Sequence, residues 1–218
     1  MKEYQNYIFD LDGTIINSAE EVLKCLDLAL EKTGYKVEKS RFVPTLIGPP
    51  IRQIMKNLAP EIVDEQILET AVKHFRNIYD NDTEDISFLY DGIENLLQNL
   101  KNEGKRLFIA TFKPLKPTLR ILEEFNISKY FDDVYCIDKF ERTMTKGEMI
   151  SDILSKYNLK NDETVMIGDS KSDMTAAKDG NVTGMGVLWG YDADKTALQE
   201  NADIIVEKVE DIKTVRTK

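Results

Sequence analysis

The chain has 218 residues, 42% of them hydrophobic, and its 29 basic and 39 acidic residues leave a formal charge of -10. That length allows one large domain or two modest ones with a proper core. The negative balance argues against a nucleic-acid scaffold or an anionic membrane surface as partner, but a local lysine and a metal can still attract a small anionic substrate.

A short apolar strand ends in Asn6-Tyr-Ile-Phe-Asp10-Leu-Asp12-Gly13-Thr14. Side chains two apart on an extended chain point the same way, so Asp10 and Asp12 are expected to project together. Such a pair repels unless a cation neutralises it. Gly13 permits a sharp turn or a close backbone approach. Hard oxygen ligands of this kind suit Mg2+ and a phosphoryl group. A calcium loop fits less well, because Gly13 is the fourth residue from Asp10 and the closing Glu is missing.

Ser18 and Glu21 have capping-box spacing, and Val22, Leu23, Leu26, Ala29 and Leu30 follow at helical spacing up to Gly34. A loop over 35–50 leads to a helix with Pro50 in its first turn, carrying Ile51, Ile54, Met55 and Leu58. A third helix is expected from Glu61 to Tyr79, with Val63, Ile67, Ala71, Phe75 and Ile78 on one stripe, and Asn81 to Asp85 reads as a polar connector. From Leu89 onward helices alternate with short apolar strands. Strands are expected at Arg106–Thr111, Val134–Ile137, Thr164–Ile167, Gly184–Trp189 and Ile204–Val206. The helices between them include Leu115–Phe125 (Leu115, Leu119, Leu122 and Phe125 inward), Lys146–Tyr157, Ser170–Asp179 and Lys195–Glu200. The fold class expected is α/β, a Rossmann-like parallel sheet with helices on both faces. Residues 17–85 form an inserted all-helical domain, and residues 1–16 with 86–218 form the α/β core.

No apolar run approaches the roughly eighteen residues of a membrane span, and the N-terminus enters a strand without a basic-then-apolar leader. Cys25 and Cys136 lie far apart with no Cys-x-x-Cys, as free thiols do in a reducing cytoplasm. A soluble cytoplasmic protein, monomer or homodimer, is expected.

Ligands in open parallel sheets bind beyond the carboxyl ends of the strands. Asp10 and Asp12, Thr111, and Gly168-Asp169 all fall there. Thr145 and Glu148 have capping-box spacing, which puts Lys146 in a first helical turn, where an anion is favoured. Lys139 and Lys113 are rivals for its role. Ser170 caps a helix with Asp173 on its first turn, so Asp173 is either a helix-start carboxylate or a group that steadies the metal or Lys146.

Together, Asp10-Leu11-Asp12-Gly13-Thr14, Thr111, Lys146 and Gly168-Asp169-Ser170-Lys171-Ser172-Asp173 resemble the four-motif series of the haloacid dehalogenase-like superfamily. The resemblance covers nearly the whole chain. The insertion is similar to that superfamily's small helical cap. Tyr90-Asp91-Gly92, Gly186 to Tyr191 and Ala202-Asp203-Ile204-Ile205 resemble the phosphoglycolate phosphatases and their nucleotidase-like relatives.

The resemblance implies a Mg2+-dependent phosphatase acting on a small phosphorylated metabolite, phosphoglycolate-like or a 5′-nucleotide. It implies Asp10 as nucleophile, forming an aspartyl-phosphate, and Asp12 as acid and base. It implies Mg2+ on Asp10, the Asp12 backbone carbonyl and Asp169. It implies Thr111 and Lys146 on the phosphoryl group, and Asp173 in support. Gly48-Pro49-Pro50-Ile51-Arg52 resembles the cap loop over the active site. Arg52 is there either a solvated helix residue or a bidentate contact for a second substrate anion. His74 reads as structural or surface, and Trp189 as packing. Two positions depart from the pattern. Phe112 stands where relatives carry Asn or Ser, and Gly147 stands where many phosphoglycolate phosphatases have Pro, which points toward the nucleotidase-like relatives. A phosphosugar mutase and a receiver-like phospho-Asp module are the alternative functions. Gly168-Asp169 counts against the first, and the long helical insertion against the second.

Overall fold

The computed structural model describes residues 3–81, 86–191 and 195–213. The expected connector falls largely on 82–85, outside the described residues. Six strands form one parallel sheet: β1 (Asn6–Phe9), β2 (Arg106–Thr111), β3 (Asp133–Cys136), β4 (Thr164–Gly168), β5 (Thr183–Val187) and β6 (Ile204–Val206). Their spatial order is β3-β2-β1-β4-β5-β6. The chain thus builds outward from β1 in one direction and then the other, which places a topological switch point beside β1.

The register explains the two-sided core. Ile8 pairs with Phe108 and Met166, and Phe9 pairs with Ile109 and Ile167. Strand side chains alternate faces, so Ile8, Phe108 and Met166 share one face and Phe9, Ile109 and Ile167 share the other. The first face packs on Met149, Ile150 and Ile153 of α6 (Lys146–Tyr157) and on Ala176 and Ala177 of α7 (Lys171–Asp179). The second packs on Ile93, Leu96, Leu97 and Leu100 of α4 (Ile93–Asn102) and on Ile121 and Leu122 of α5 (Leu115–Glu124). Burial on both faces is why these strands read as continuous apolar runs.

The chain divides into two compact units, Met1–Asn17 with Leu89–Lys218, and Ser18–Phe88. The second has its own core, built from α1 (Ala19–Lys32), α2 (Ile51–Leu58) and α3 (Glu65–Asn81). Leu26, Leu30, Met55, Leu58, Leu68 and Phe75 are fully or nearly fully buried in it. The Phe75 and Tyr79 rings stack one helical turn apart, with centroids at 5.4 Å.

Besides shifts of one or two residues at strand ends, four local expectations differ from the structure. The Ser18–Glu21 capping box does not form: Ser18 has ψ near 10° rather than the extended value an N-cap needs, and Ser87 donates to Glu21. Helix α3 starts at Glu65, with Asp64 Oδ1 accepting from the Gln66 amide at 2.7 Å, so Val63 lies outside it and is 87% exposed. Leu119 faces outward, and α5 buries the expected Leu122 together with Pro117, Thr118 and Ile121. Pro50 precedes α2 as its N-cap rather than sitting inside its first turn.

The helical unit is small enough for a single core truncation to matter. Leu26→Ala is expected to cost about 2–5 kcal/mol, read as a lower urea midpoint by far-ultraviolet circular dichroism. A loss below roughly 1 kcal/mol would mean that this core repacks around the gap.

Candidate active site

The site lies at the carboxyl end of the sheet around β1. The Asp10 amide donates to the Ile167 carbonyl at 2.9 Å, so the first acid is fixed at the edge of the sheet between β2 and β4. Its carboxylate is buried, with Oδ2 3.0 Å from Lys146 Nζ. Lys146 opens α6, whose N-terminus carries the capping box of Thr145 and Glu148. The same ammonium is 2.5 Å from Asp173 Oδ1. The other Asp173 oxygen accepts from the Ser170 amide at 3.1 Å and from the Ser170 hydroxyl at 2.6 Å. Asp173 is therefore both a helix-start carboxylate and the group that holds Lys146.

Asp12 does not share Lys146. Its two oxygens lie 3.1 and 3.4 Å from Lys113 Nζ. The two acids, placed together by their spacing, are thus each matched to a different ammonium. Lys139, the other rival, is turned away from them: its Nζ donates to the Val134 carbonyl at 2.7 Å and pairs with Asp133. Thr111 is buried at the end of β2, and its hydroxyl accepts from the Lys113 amide at 3.2 Å.

Asp169 follows β4, and its Oδ2 accepts from the Tyr191 amide at 2.6 Å. Two glycines leave room for this carboxylate. A Cβ on Gly13, whose φ of +81° already favours glycine, would stand 2.3 Å from Asp169 Oδ2, and a Cβ on Gly190 would stand 2.2 Å from Asp169 Cβ. Trp189 packs as expected, but its Nε1 also donates to the Thr14 carbonyl at 3.1 Å. The Tyr191 amide on Asp169 has no counterpart in the sequence reading, because a backbone donor carries no side-chain signal.

The departures at Phe112 and Gly147 have physical accounts. The Phe112 ring lies 5.2 Å from Lys146 Nζ, in cation–π range. A Cβ on Gly147 would stand 2.7 Å from Asp179 Cβ, so this glycine lets α6 and α7 approach closely. Arg52, in the helical unit, pairs with Glu65 and Glu69. His74 is half-buried on α3.

The electrostatics leave a deficit of positive charge. Asp10, Asp12, Asp169 and Asp173 face two ammonium groups, Lys113 and Lys146. Burial pushes the Asp10 carboxyl up to about 7, against the pull of Lys146 and with repulsion from Asp173 and Asp12 adding to it. Burial, with Asp173 and Asp10 nearby, pushes Asp169 up to about 8. Burial pulls Lys146 down, but Asp10 and Asp173 more than reverse that, and its ammonium form is held above the ordinary range. Asp10, Asp169 and Asp173 each offer a carboxylate oxygen, all within 4.8 Å of one another. A formal excess of two negative charges among buried hard oxygens fits a divalent cation such as Mg2+. Because both Asp173 oxygens are already engaged, Asp10 and Asp169 are the better side-chain ligands.

A parallel α/β sheet with clustered acids and lysines at a switch point defines a site for phosphoryl chemistry. Residues 7–187 match the haloacid dehalogenase-like hydrolase family, and the chain belongs to that family. It is 27% identical over 212 residues to a phosphoglycolate phosphatase from Vibrio parahaemolyticus, covering 94% of this chain and 92% of that one. It is 27% identical over 209 residues to the pyrophosphatase PpaX of Listeria monocytogenes, covering 94% and 93%. A crystal structure of a predicted phosphatase from Clostridium acetobutylicum superposes with a TM-score of 0.86 at 30% identity, covering 97% of both chains. The protein is a phosphatase of this family. Among the described residues no helix is long and apolar enough to cross a membrane.

The raised acids set a pH dependence for the metal-free protein. In the folded state Asp10 and Asp169 hold protons that an unfolded carboxyl, with its ordinary value of 3.8, has already released. Their contribution is thus fully present below about pH 4 and is lost as pH rises through about 7 to 8. Scanning calorimetry in chelator is expected to show melting falling between about pH 5 and pH 8.5, with Mg2+ restoring more at the upper end. A profile flat over that window, with or without Mg2+, would contradict these raised acids.

Proposed function

We propose that the protein is a Mg2+-dependent phosphomonoesterase working through an aspartyl-phosphate on Asp10. The observation that carries this reading is the separation of the two acids: Asp10 against Lys146 at 3.0 Å, and Asp12 against Lys113 at 3.1 Å. One carboxylate is kept for attack and the other for proton transfer.

Asp10 attacks phosphorus in line, and the bond to the leaving oxygen breaks as Asp12 gives that oxygen a proton. Asp12 then takes a proton from water. The water oxygen bonds to phosphorus, the acyl-phosphate bond breaks, and the Asp10 carboxylate and inorganic phosphate are released. Splitting hydrolysis this way replaces one hard step with two easier ones. Lys146 and the Thr111 hydroxyl neutralise and orient the equatorial oxygens, which is where phosphoryl transfer needs help. Asp173 positions Lys146. Mg2+, held by Asp10, Asp169 and the Asp12 backbone carbonyl, would supply further charge neutralisation.

Residues 17–85 serve in this reading as a cap that sets specificity. Arg52 is its candidate for a second substrate anion, a role that requires it to exchange Glu65 or Glu69 for the ligand. Phosphoglycolate-like esters and 5′-nucleotides are the proposed substrates, with pyrophosphate added by the Listeria relative's name. The hydrolases among the relatives favour water over a sugar as the final acceptor, against a mutase. The buried free thiols of Cys25 and Cys136 support a cytoplasmic setting.

The test is phosphate release, with and without Mg2+, from phosphoglycolate, 5′-nucleotides, sugar phosphates and pyrophosphate. Asp10→Asn is expected to abolish turnover. Asp12→Asn is expected to lower kcat by about 10²–10⁴-fold and, with a good leaving group, to let the phosphoenzyme accumulate. Metal-independent release, or full activity in Asp10→Asn, would overturn the proposal.

A further inference from the structure

In the mechanism just described Lys113 is only the partner of Asp12, yet its side chain is only 5% exposed. A buried ammonium is costly unless paired, so its location carries information. The loop that holds it is fixed at both ends. Its amide donates to the Thr111 hydroxyl at 3.2 Å, and two residues on the Leu115 amide donates to Asp138 Oδ1 at 2.7 Å as α5 begins. From there Nζ spans to both oxygens of Asp12.

We propose that Lys113 is a specificity-determining residue that selects substrates whose leaving group carries its own negative charge, a carboxylate or a second phosphoryl group, close to the scissile oxygen. This deepens the phosphatase reading and rests on Asp12 being the acid that meets the leaving oxygen. Lys146 faces Asp10, and so meets the phosphoryl group that transfers. Lys113 faces Asp12, and so lies beside what departs. An anionic leaving group would otherwise enter a site with more carboxylates than ammonium groups, on a chain of formal charge -10. The competing cations are engaged elsewhere: Arg52 with Glu65 and Glu69, and Lys139 with Asp133 and the Val134 carbonyl.

The test compares kcat/KM within two pairs of substrates. Phosphoglycolate is set against 2-hydroxyethyl phosphate, which replaces the carboxylate with a neutral hydroxymethyl group. Pyrophosphate is set against p-nitrophenyl phosphate, whose leaving group is of similar acidity but brings no second charge to the ester. A hydrogen bond to a charged group is worth about tenfold to a hundredfold. Lys113→Met is therefore expected to lower the charged member of at least one pair about tenfold or more beyond its neutral partner. Lys113→Arg should keep most of the preference, and Arg52→Ala, at the rival candidate for that anion, should leave most of the preference intact. A loss confined to the first pair assigns a carboxylate, and one confined to the second a phosphoryl group.

Equal losses within both pairs would overturn the inference and leave Lys113 as a positioning residue for Asp12. Loss of the preference in Arg52→Ala alone would overturn it too. Should Lys113→Met fail to fold, as judged by melting, the wild type decides. A wild-type preference for the charged member of under about threefold in both pairs would reject the inference. Wild type releasing no phosphate from any of the four with Mg2+ would instead overturn the phosphatase reading, and this inference with it.

Discussion

The Lys146 ammonium, 3.0 Å from Asp10 and 2.5 Å from Asp173, makes the acidic cluster possible. Buried carboxylates are expensive unless paired, and here Asp10, Asp169 and Asp173 converge within 4.8 Å. Lys146 draws two of them together and still leaves the site negative. That residual charge can be relieved by protons, as the raised values at Asp10 and Asp169 express, or by a divalent cation. The same imbalance that destabilises the metal-free site near neutral pH is therefore what suits it to a divalent cation.

Holding these groups so close demands a rigid frame. Parallel pairing of β1 with both β2 and β4 brings Asp10, Thr111 and Asp169 to one edge from distant parts of the chain. Each functional loop is then tied at short range: Asp173 by the Ser170 cap, Asp169 by the Tyr191 amide, and the Asp12–Thr14 turn by Trp189 Nε1 on the Thr14 carbonyl. A site fixed this way loses little order when a ligand arrives, which is the condition for electrostatic preorganisation.

Much of this was legible in the sequence because it is local. Arg106–Thr111, Lys146–Tyr157 and Ile204–Val206 have the bounds their apolar patterns predict, and the Thr145–Glu148 and Ser170–Asp173 boxes both form. The same spacing at Ser18 and Glu21 gave no box, since Ser87, far along the chain, takes up the Glu21 carboxylate. Periodicity also assigned Val63 and Leu119 to buried stripes, although a stripe predicts a face and not how far a neighbouring element covers it. Least legible was the Lys113–Asp12 pair. Its members lie 101 residues apart, and Lys113 entered the sequence reading only as a rival of Lys146 for the phosphoryl group.

The two ammonium groups also differ in their surroundings, and this bears on what each can do. Lys146 is enclosed by Asp10, Asp173 and the Phe112 ring. An aromatic face attracts a cation without supplying a hydrogen-bond acceptor, so Phe112 steadies Lys146 without competing for the phosphoryl oxygens. A polar residue there would offer the ammonium, or the substrate, another partner. Lys113 has both Asp12 oxygens within reach and sits on a loop anchored to the Thr111 hydroxyl. Phe112 itself offers no side-chain donor or acceptor beside Lys146.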